Sequence, residues 1–571
     1  MQRSLRRFAA PLSIVALLLF ASELYAQTQL YTFYGASAND EFGRSVASAG
    51  DVNNDGYDDI IAGARGVDDI GSASGRARVL SGLDGSVLYT LFGAAGADHF
   101  GVAVGGAGDV NNDNYDDVIV GAFGSGNNAG SARVVSGING STLYTFNGDS
   151  NDDEFGRSVA GAGDVNNDGY ADVIVGARYD DNNGSNSGSA RVFSGINGSV
   201  LYTFYGDSAD DRFGLSVDGA GDVNNDGRDD LIVGAWGDDN NGSNSGSARV
   251  FSGANGSVLY TFNGDSAGDF LGYSVAGAGD VNNDGRDDLI VGAYGDDNNG
   301  SDSGSARVFS GVNGSILYTF NGDSAGDWFG ASVGSAGDIN KDNHADLVVG
   351  AERDDNNGAN SGSARILWGV DGTVHVTFYG DAARDAFGVS VSGAGDVNND
   401  GFDDLVVGAF GVDQNGAESG SARVFSSLGC CPSIGQSCTV GPCQSCPSMV
   451  ATTSGGAPSL NNTSFALELR NAPSTMDYAI LAISSPCVTP GTSYIMCDTI
   501  KVLEPLQFLA AMPFTPGVSG CTTNVFVPAP VPSDPIFVGY ALGMQWAVSC
   551  NSSAVLGTSI SNCVSFVITS G

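Results

Sequence analysis

Asp51-Val52-Asn53-Asn54-Asp55-Gly56-Tyr57-Asp58-Asp59 is repeated, with small changes, from Asp109, Asp164, Asp222, Asp280, Asp338 and Asp396. Successive copies lie 58, 55, 58, 58, 58 and 58 residues apart. An acidic phrase on so regular a period marks one supersecondary unit used seven times. Numbered from its first Asp, the phrase carries Asp, Asn and Asp at positions 1, 3 and 5 and Asp at position 9 in every copy. Position 8 is Asp in five copies but Ala171 and Ala345 in the others, so position 9 is read as the ligand. Oxygens from side chains at 1, 3, 5 and 9, with the carbonyl at 7, suit the flexible shell of calcium better than the stricter octahedron of magnesium. Position 6 is Gly in five copies and Asn114 or Asn343 in two, residues that accept positive φ.

The predicted ligand sets are Asp51, Asn53, Asp55, Tyr57 and Asp59; Asp109, Asn111, Asp113, Tyr115 and Asp117; Asp164, Asn166, Asp168, Tyr170 and Asp172; Asp222, Asn224, Asp226, Arg228 and Asp230; Asp280, Asn282, Asp284, Arg286 and Asp288; Asp338, Asn340, Asp342, His344 and Asp346; and Asp396, Asn398, Asp400, Phe402 and Asp404. The expected cofactor is Ca2+, about seven ions, one for each repeat. An EF-hand opens similarly but needs a bidentate Glu at position 12 and flanking helices. Here position 12 is an apolar residue such as Ala62 or Val120.

Around each loop the sequence reads as strands. In the fourth repeat Phe213–Val217 leads into the loop, Leu231–Ala235 follows it, and a polar stretch, Gly237–Gly246, precedes Ala248–Gly253. Asn255-Gly256 then turns the chain into Val258–Phe262, and its composition predicts a two-residue type I′ hairpin. Four short β-branched and aromatic runs between Gly, Asn, Asp and Ser make four antiparallel strands. Seven such units predict an all-β, seven-bladed β-propeller. A parallel β-helix would need shorter coils and no hairpins.

The Leu-Tyr-Thr-Phe strand occurs first at Leu30, before any complete repeat, and is missing after Val424-Phe425-Ser426. The N-terminal strand is therefore expected to complete the seventh blade and remove the open edges.

The chain has 571 residues, 65 acidic against 23 basic, and a formal charge of −42, which disfavours nucleic acid or an anionic membrane as partner. A hydrophobic content of 42% argues against disorder. Residues 1–26, with Arg3, Arg6 and Arg7 before an apolar run, read as a signal peptide. No transmembrane segment is expected, so the predicted location is secreted or at the cell surface. The ring is assigned to 27–429, a Cys-rich linker to 430–447, and a small β-sandwich-like domain to 448–571. All ten Cys lie from Cys430 onward and are expected to form disulfides, with the pairing open.

Phe-Gly before the loop (Phe42-Gly43, Phe100-Gly101, Phe155-Gly156, Phe213-Gly214, Phe329-Gly330, Phe387-Gly388) and Gly-Ala after it (Gly63-Ala64 to Gly408-Ala409) resemble the FG-GAP repeat family of integrin α propellers and exported bacterial proteins. Leu271-Gly272 departs from the first pattern, and the Pro usual after Gly-Ala is replaced throughout. The resemblance implies a calcium-dependent binding or adhesion platform, though fold does not fix the ligand.

Alternate loops of a blade share a face. The long polar loops therefore lie opposite the acidic ones, with Phe123, Tyr179, Trp236 and Tyr294 at their roots. Such rings beside Asn and Asp suit an extracellular glycan, or a surface protein; the plainer role is to cover apolar surface between blades. A structural envelope component is the alternative function. An enzyme acting on polysaccharide is disfavoured, since the three His and the absence of Gly-x-Ser-x-Gly or His-Glu-x-x-His offer no catalytic constellation.

Overall fold

A computed structural model describes residues 28–426 continuously and, beyond them, the backbone of six strands between Met449 and Ile568. Each repeat forms one four-stranded antiparallel sheet. In the first, the strands Phe42–Gly50, Asp59–Ala64, Arg76–Leu80 and Val87–Phe92 pair in chain order. The second strand of every sheet is buried along its whole length, because neighbouring sheets cover both its faces. The outermost strands, such as Val200–Tyr205, are only partly covered.

The innermost strand of each sheet touches that of the next, first to second and onward, and the seventh touches the first. The seventh sheet takes Phe387–Gly395, Asp404–Ala409 and Ser421–Ser426 from the end of the array and Thr28–Tyr34 from its beginning, the last two antiparallel. The fold is an all-β seven-bladed propeller closed by its N-terminal strand, as the unpaired Leu-Tyr-Thr-Phe copy predicts.

Sterics at the blade junctions explain the Phe-Gly and Gly-Ala pairs. A Cβ on Gly63 would stand 2.0 Å from the Gly101 carbonyl oxygen, and one on Gly408 would stand 1.9 Å from that of Gly43. The same glycine-to-glycine approach recurs at the other five junctions, so neither partner has room for a side chain. The Phe beside it is buried, and in six blades the Arg of the third strand lies over its ring, as Arg191 lies 4.3 Å from the Phe155 centroid.

A belt of serines joins the inner strands. The Oγ atoms of Ser45, Ser216, Ser274, Ser332 and Ser390 accept the N–H groups of Val104, Val275, Val333, Val391 and Val46 at 3.0–3.1 Å. The last bond links the seventh blade to the first.

The hairpin turn differs from the type I′ expectation. Gly256 has φ 69°, but Asn255 is not left-handed. Gly256 N–H instead donates to Ser252 O at 2.7 Å, and Asn255 Oδ1 accepts the Ser257 N–H at 2.8 Å. The turn is wider because the Gly253 N–H is drawn to the Asp230 carboxylate, 2.9 Å away.

Beyond the ring, Met449–Ala451 pairs in parallel with Ser561–Ile568, which is antiparallel to Ala541–Trp546. Ala466–Asn471, Tyr478–Ser485 and Thr523–Pro530 form a second, antiparallel sheet. The signal peptide, the Cys-rich linker, the cysteine side chains and the expected run at Phe537–Tyr540 lie outside the described residues.

Candidate metal loops and the hub of the opposite face

Each acidic loop is wound by its own carboxylates. Asp51 accepts the N–H groups of Asp55 and Gly56 at 3.0 and 2.8 Å, and Asp55 accepts that of Tyr57 at 3.1 Å. The same three bonds recur in the loops from Asp109, Asp164, Asp280, Asp338 and Asp396. Position 6 is left-handed in all seven copies, Asn114 (φ 65°) and Asn343 (φ 68°) included. Position 4 is left-handed too, even where Lys341 (φ 58°) replaces Asn.

The carboxylate at position 9 is buried in every blade. Asp59 accepts the N–H of Val52 at 3.1 Å and that of Gly82 at 2.9 Å, tying the loop to the next turn of its own blade. Burial pushes Asp59 and Asp117 up to about 7 and Asp346 to about 8, against these backbone bonds; the loop's other carboxylates push the same way. Position 3 carries a second feature that suits a cation. The Oδ1 atoms of Asn53 and Asn282 are buried with no donor in reach. In the loops from Asp164, Asp222 and Asp396 the Asn amide instead turns its NH2 to the position 9 carboxylate.

These features fit a cation. A carboxylate oxygen that accepts one N–H keeps a lone pair for a metal, and an orphaned amide oxygen beside crowded carboxylates wants a positive charge. Among the described residues no three His, Cys, Asp or Glu side chains already converge on one point. Positions 1 and 5 hold their own loop's N–H groups, and the rest of the expected set is amide and carbonyl oxygen.

Position 8, set aside as a ligand, joins blades instead. Asp58, Asp116, Asp229, Asp287 and Asp403 accept the position 1 N–H of the preceding blade, from Asp396, Asp51, Asp164, Asp222 and Asp338, at 2.7–3.2 Å. Ala171 and Ala345 forgo this bond and keep the backbone bond from their own N–H to Asp109 O and Asp280 O. Position 7 was expected to use only its carbonyl. In three loops its side chain also reaches the preceding blade, where Arg228, Arg286 and His344 bond to the carbonyls of Val165, Val223 and Val281.

On the opposite face three positions of each repeat encircle the axis: the residue before Phe-Gly, the one after it, and the one after Gly-Ala. The first is left-handed in all seven blades, yet holds Glu41, His99, Glu154, Arg212, Phe270, Trp328 and Ala386. Blades four to six supply a continuous aromatic arc. Trp236 lies 5.3 Å from Phe270, Phe270 stacks on Tyr294 at 4.9 Å, and Tyr273 and Trp328 meet Tyr294 at 4.6 and 4.7 Å. Arg212 and Arg353 lie over the rings of Trp236 and Trp328.

Blades one to three supply arginines. Arg65 pairs with Glu41 at 2.8 Å and Arg178 with Glu154 at 2.7 Å, while Arg44 lies over Phe410 and Arg157 over Phe123. Phe123 stacks on His99 at 4.7 Å, and Arg178 lies over Tyr179. Trp236 and Tyr294 are thus half-buried and packed on neighbouring rings, which meets the plainer expectation for them. Glu41, Arg44, Arg157, Arg212 and Trp328 were not singled out in sequence. Their signal was available, as the variable positions flanking a fixed Phe-Gly.

Five stretches of the ring, residues 42–80, 155–193, 271–309, 329–367 and 387–425, match the FG-GAP repeat. The chain is 31% identical to integrin alpha-5 of Xenopus laevis over 236 residues, 37% of this chain and 21% of that protein. It is 34% identical to integrin alpha pat-2 of Caenorhabditis elegans over 239 residues (36% and 19%) and 31% identical to integrin alpha-V of Gallus gallus over 230 (37% and 22%). The chain therefore spans between 19% and 22% of the length of these relatives. It carries FG-GAP repeats on a seven-bladed propeller and is a distant homologue of integrin alpha chains.

Proposed function

We propose that the ring, residues 27–429, is an exported calcium-binding platform that holds an extracellular glycan or surface protein on the face opposite its acidic loops. The observation that carries this reading is where the blades differ. Junction glycines, serine belt and acidic loops repeat almost unchanged, whereas the three residues per blade around the hub range over Glu, His, Arg, Phe, Trp, Tyr and small side chains. A scaffold whose junctions and acidic loops repeat while an aromatic and polar hub varies from blade to blade is suited to present that hub.

Calcium, one ion per blade through the seven ligand sets, would join the loops and hold the scaffold rigid by binding the folded ring in preference to the unfolded chain. Residues 1–26 are read as the export signal, 430–447 as a disulfide-bearing linker and 448–571 as a separate β-rich domain. Distant homology to integrin alpha chains supports binding rather than catalysis. Among the described residues no helix is long and apolar enough to cross a membrane.

A glycan array probed in calcium and again in chelator tests the platform. Binding in calcium, lost in chelator and weakened by Trp236→Ala with Tyr294→Ala, is the expected result. Binding to no glycan in folded, calcium-loaded protein removes the glycan partner, and unchanged binding by the double variant removes the hub as its site.

A further inference from the structure

The hub runs against the charge of the whole chain. At its three rings stand five Arg (Arg44, Arg65, Arg157, Arg178, Arg212) and three Glu (Glu41, Glu154, Glu352), a net charge of +2 in a chain of net charge −42. Two of the arginines are neutralised by their ion pairs. Arg44 and Arg157 form no ion pair among the described residues and rest on the rings of Phe410 and Phe123. Arg44, from blade one, has Arg65 and the carboxylates of Glu352 and Glu41 as charged neighbours. Arg157 feels Arg178, Arg44 and Arg65, and only Tyr273 opposes them. Burial and those like charges push its guanidinium down to about 10.

Nearby donors are short of acceptors as well, since Arg212 Nε and Trp236 Nε1 are buried without a partner. Unpaired guanidiniums held half-buried at the mouth of an aromatic arc are costly unless an anion meets them. Guanidinium forks match carboxylate and sulfate geometry, and the flat faces of Tyr and Trp accept the C–H face of a sugar ring.

We propose that the hub binds an acidic saccharide, with Arg44 and Arg157 taking its carboxylate or sulfate and the arc of Trp236, Tyr273 and Tyr294 taking the sugar ring. The proposal rests on the platform reading above and names its ligand class. Glu352 opposes it, because its carboxylate acts on Arg44.

The test uses the full chain in calcium and titrates three probes by calorimetry: an oligogalacturonate, a sulfated dextran oligomer and a neutral dextran oligomer, with poly-glutamate as a fourth. The two acidic saccharides should bind, at least tenfold more tightly than the neutral one, and weaken as salt rises. Arg44→Gln with Arg157→Gln should reduce that affinity at least tenfold with the melting temperature unchanged. Glu352→Gln, which removes the opposing charge, should tighten binding several-fold and keeps the test valid if the arginine variant fails to fold. Relative affinity of the galacturonate and sulfate probes tells which anion is preferred.

Equal affinity for acidic and neutral saccharides, or a folded arginine variant that binds as well as the parent, overturns the inference and leaves the platform standing. Tight binding of poly-glutamate at the same arginines assigns the hub to an acidic protein and also overturns it. Binding of none of the saccharides overturns both the inference and the glycan reading beneath it.

Discussion

Removing residues 27–35 should open the ring, and the cost can be worked from the seventh blade. The deleted strand pairs with Ser421–Ser426 through six residue partners. Leu30, Tyr31 and Phe33 are half-buried against the cluster shared by the first and seventh blades. Half-burial of three such side chains is worth roughly 3 kcal/mol. Tyr31 Oη also donates to the first blade's Gly82 O at 2.9 Å, worth about 1 kcal/mol. The strand's backbone bonds are largely offset by the entropy of ordering it. The net loss is then on the order of 4 kcal/mol, a large part of the stability of an ordinary domain. Urea unfolding in calcium, followed by tryptophan fluorescence, reads it as a lower midpoint. Exposure of the Ser421–Ser426 edge should add concentration-dependent association. A synthetic Thr-Gln-Leu-Tyr-Thr-Phe-Tyr peptide supplied in trans should restore part of the midpoint by strand addition. An unchanged midpoint in the truncated protein would refute closure by this strand.

Three further outcomes follow from the junctions. Asp116→Ala removes the carboxylate that receives the Asp51 N–H at 3.0 Å, and should cost about 1–2 kcal/mol in a thermal melt; no loss would mean that the blade-to-blade bond is idle. Gly63→Ala puts a Cβ 2.0 Å from the Gly101 carbonyl oxygen and should destabilise by about 3 kcal/mol or abolish soluble expression, whereas near-normal melting would contradict the tight junction. Asp218 stands on the inner strand where other blades have Ala47, Gly105, Ala160 or Ala276, and burial pushes it up from 3.8 to about 7 against the N–H groups of Gly219 and Gly277. A carboxyl raised on folding contributes nothing to the pH dependence below about 4, destabilises progressively as the unfolded chain ionises, and reaches its full cost above about 7. Allowing for its partial exposure, Asp218→Ala should melt above the parent at pH 8, by about 2 kcal/mol, and lose that advantage by pH 4; a pH-independent difference would contradict the assignment.

The period of the acidic phrase, the four apolar runs and the unpaired Leu-Tyr-Thr-Phe copy made blade number and closure legible in the sequence. Those features depend on local residue types, and local rules hold for short strands. Contacts between neighbouring blades were not legible. Position 8 looked expendable because Ala171 and Ala345 lack a carboxylate, yet its partner lies 65 residues away, at the loop of the preceding blade. The Asn-Gly turn misled for a related reason, since a tertiary bond from Gly253 to Asp230 outweighs the dipeptide's own preference. In the hub, Trp236 and Tyr294 could be picked out as aromatic residues at loop roots. Arg44 and Arg157 stood at variable positions after a fixed Phe-Gly, but that they face one centre with the aromatic arc was not legible, because the ring packing sets it.

Native mass spectrometry of the metal-free ring titrated with calcium tests the central claim most directly. The expected result is stepwise uptake ending at about seven ions per chain, the loop chemistry counted once per blade, with Asp51→Ala plus Asp55→Ala reducing the count by one. Folded protein that takes up no calcium at millimolar concentration would contradict it.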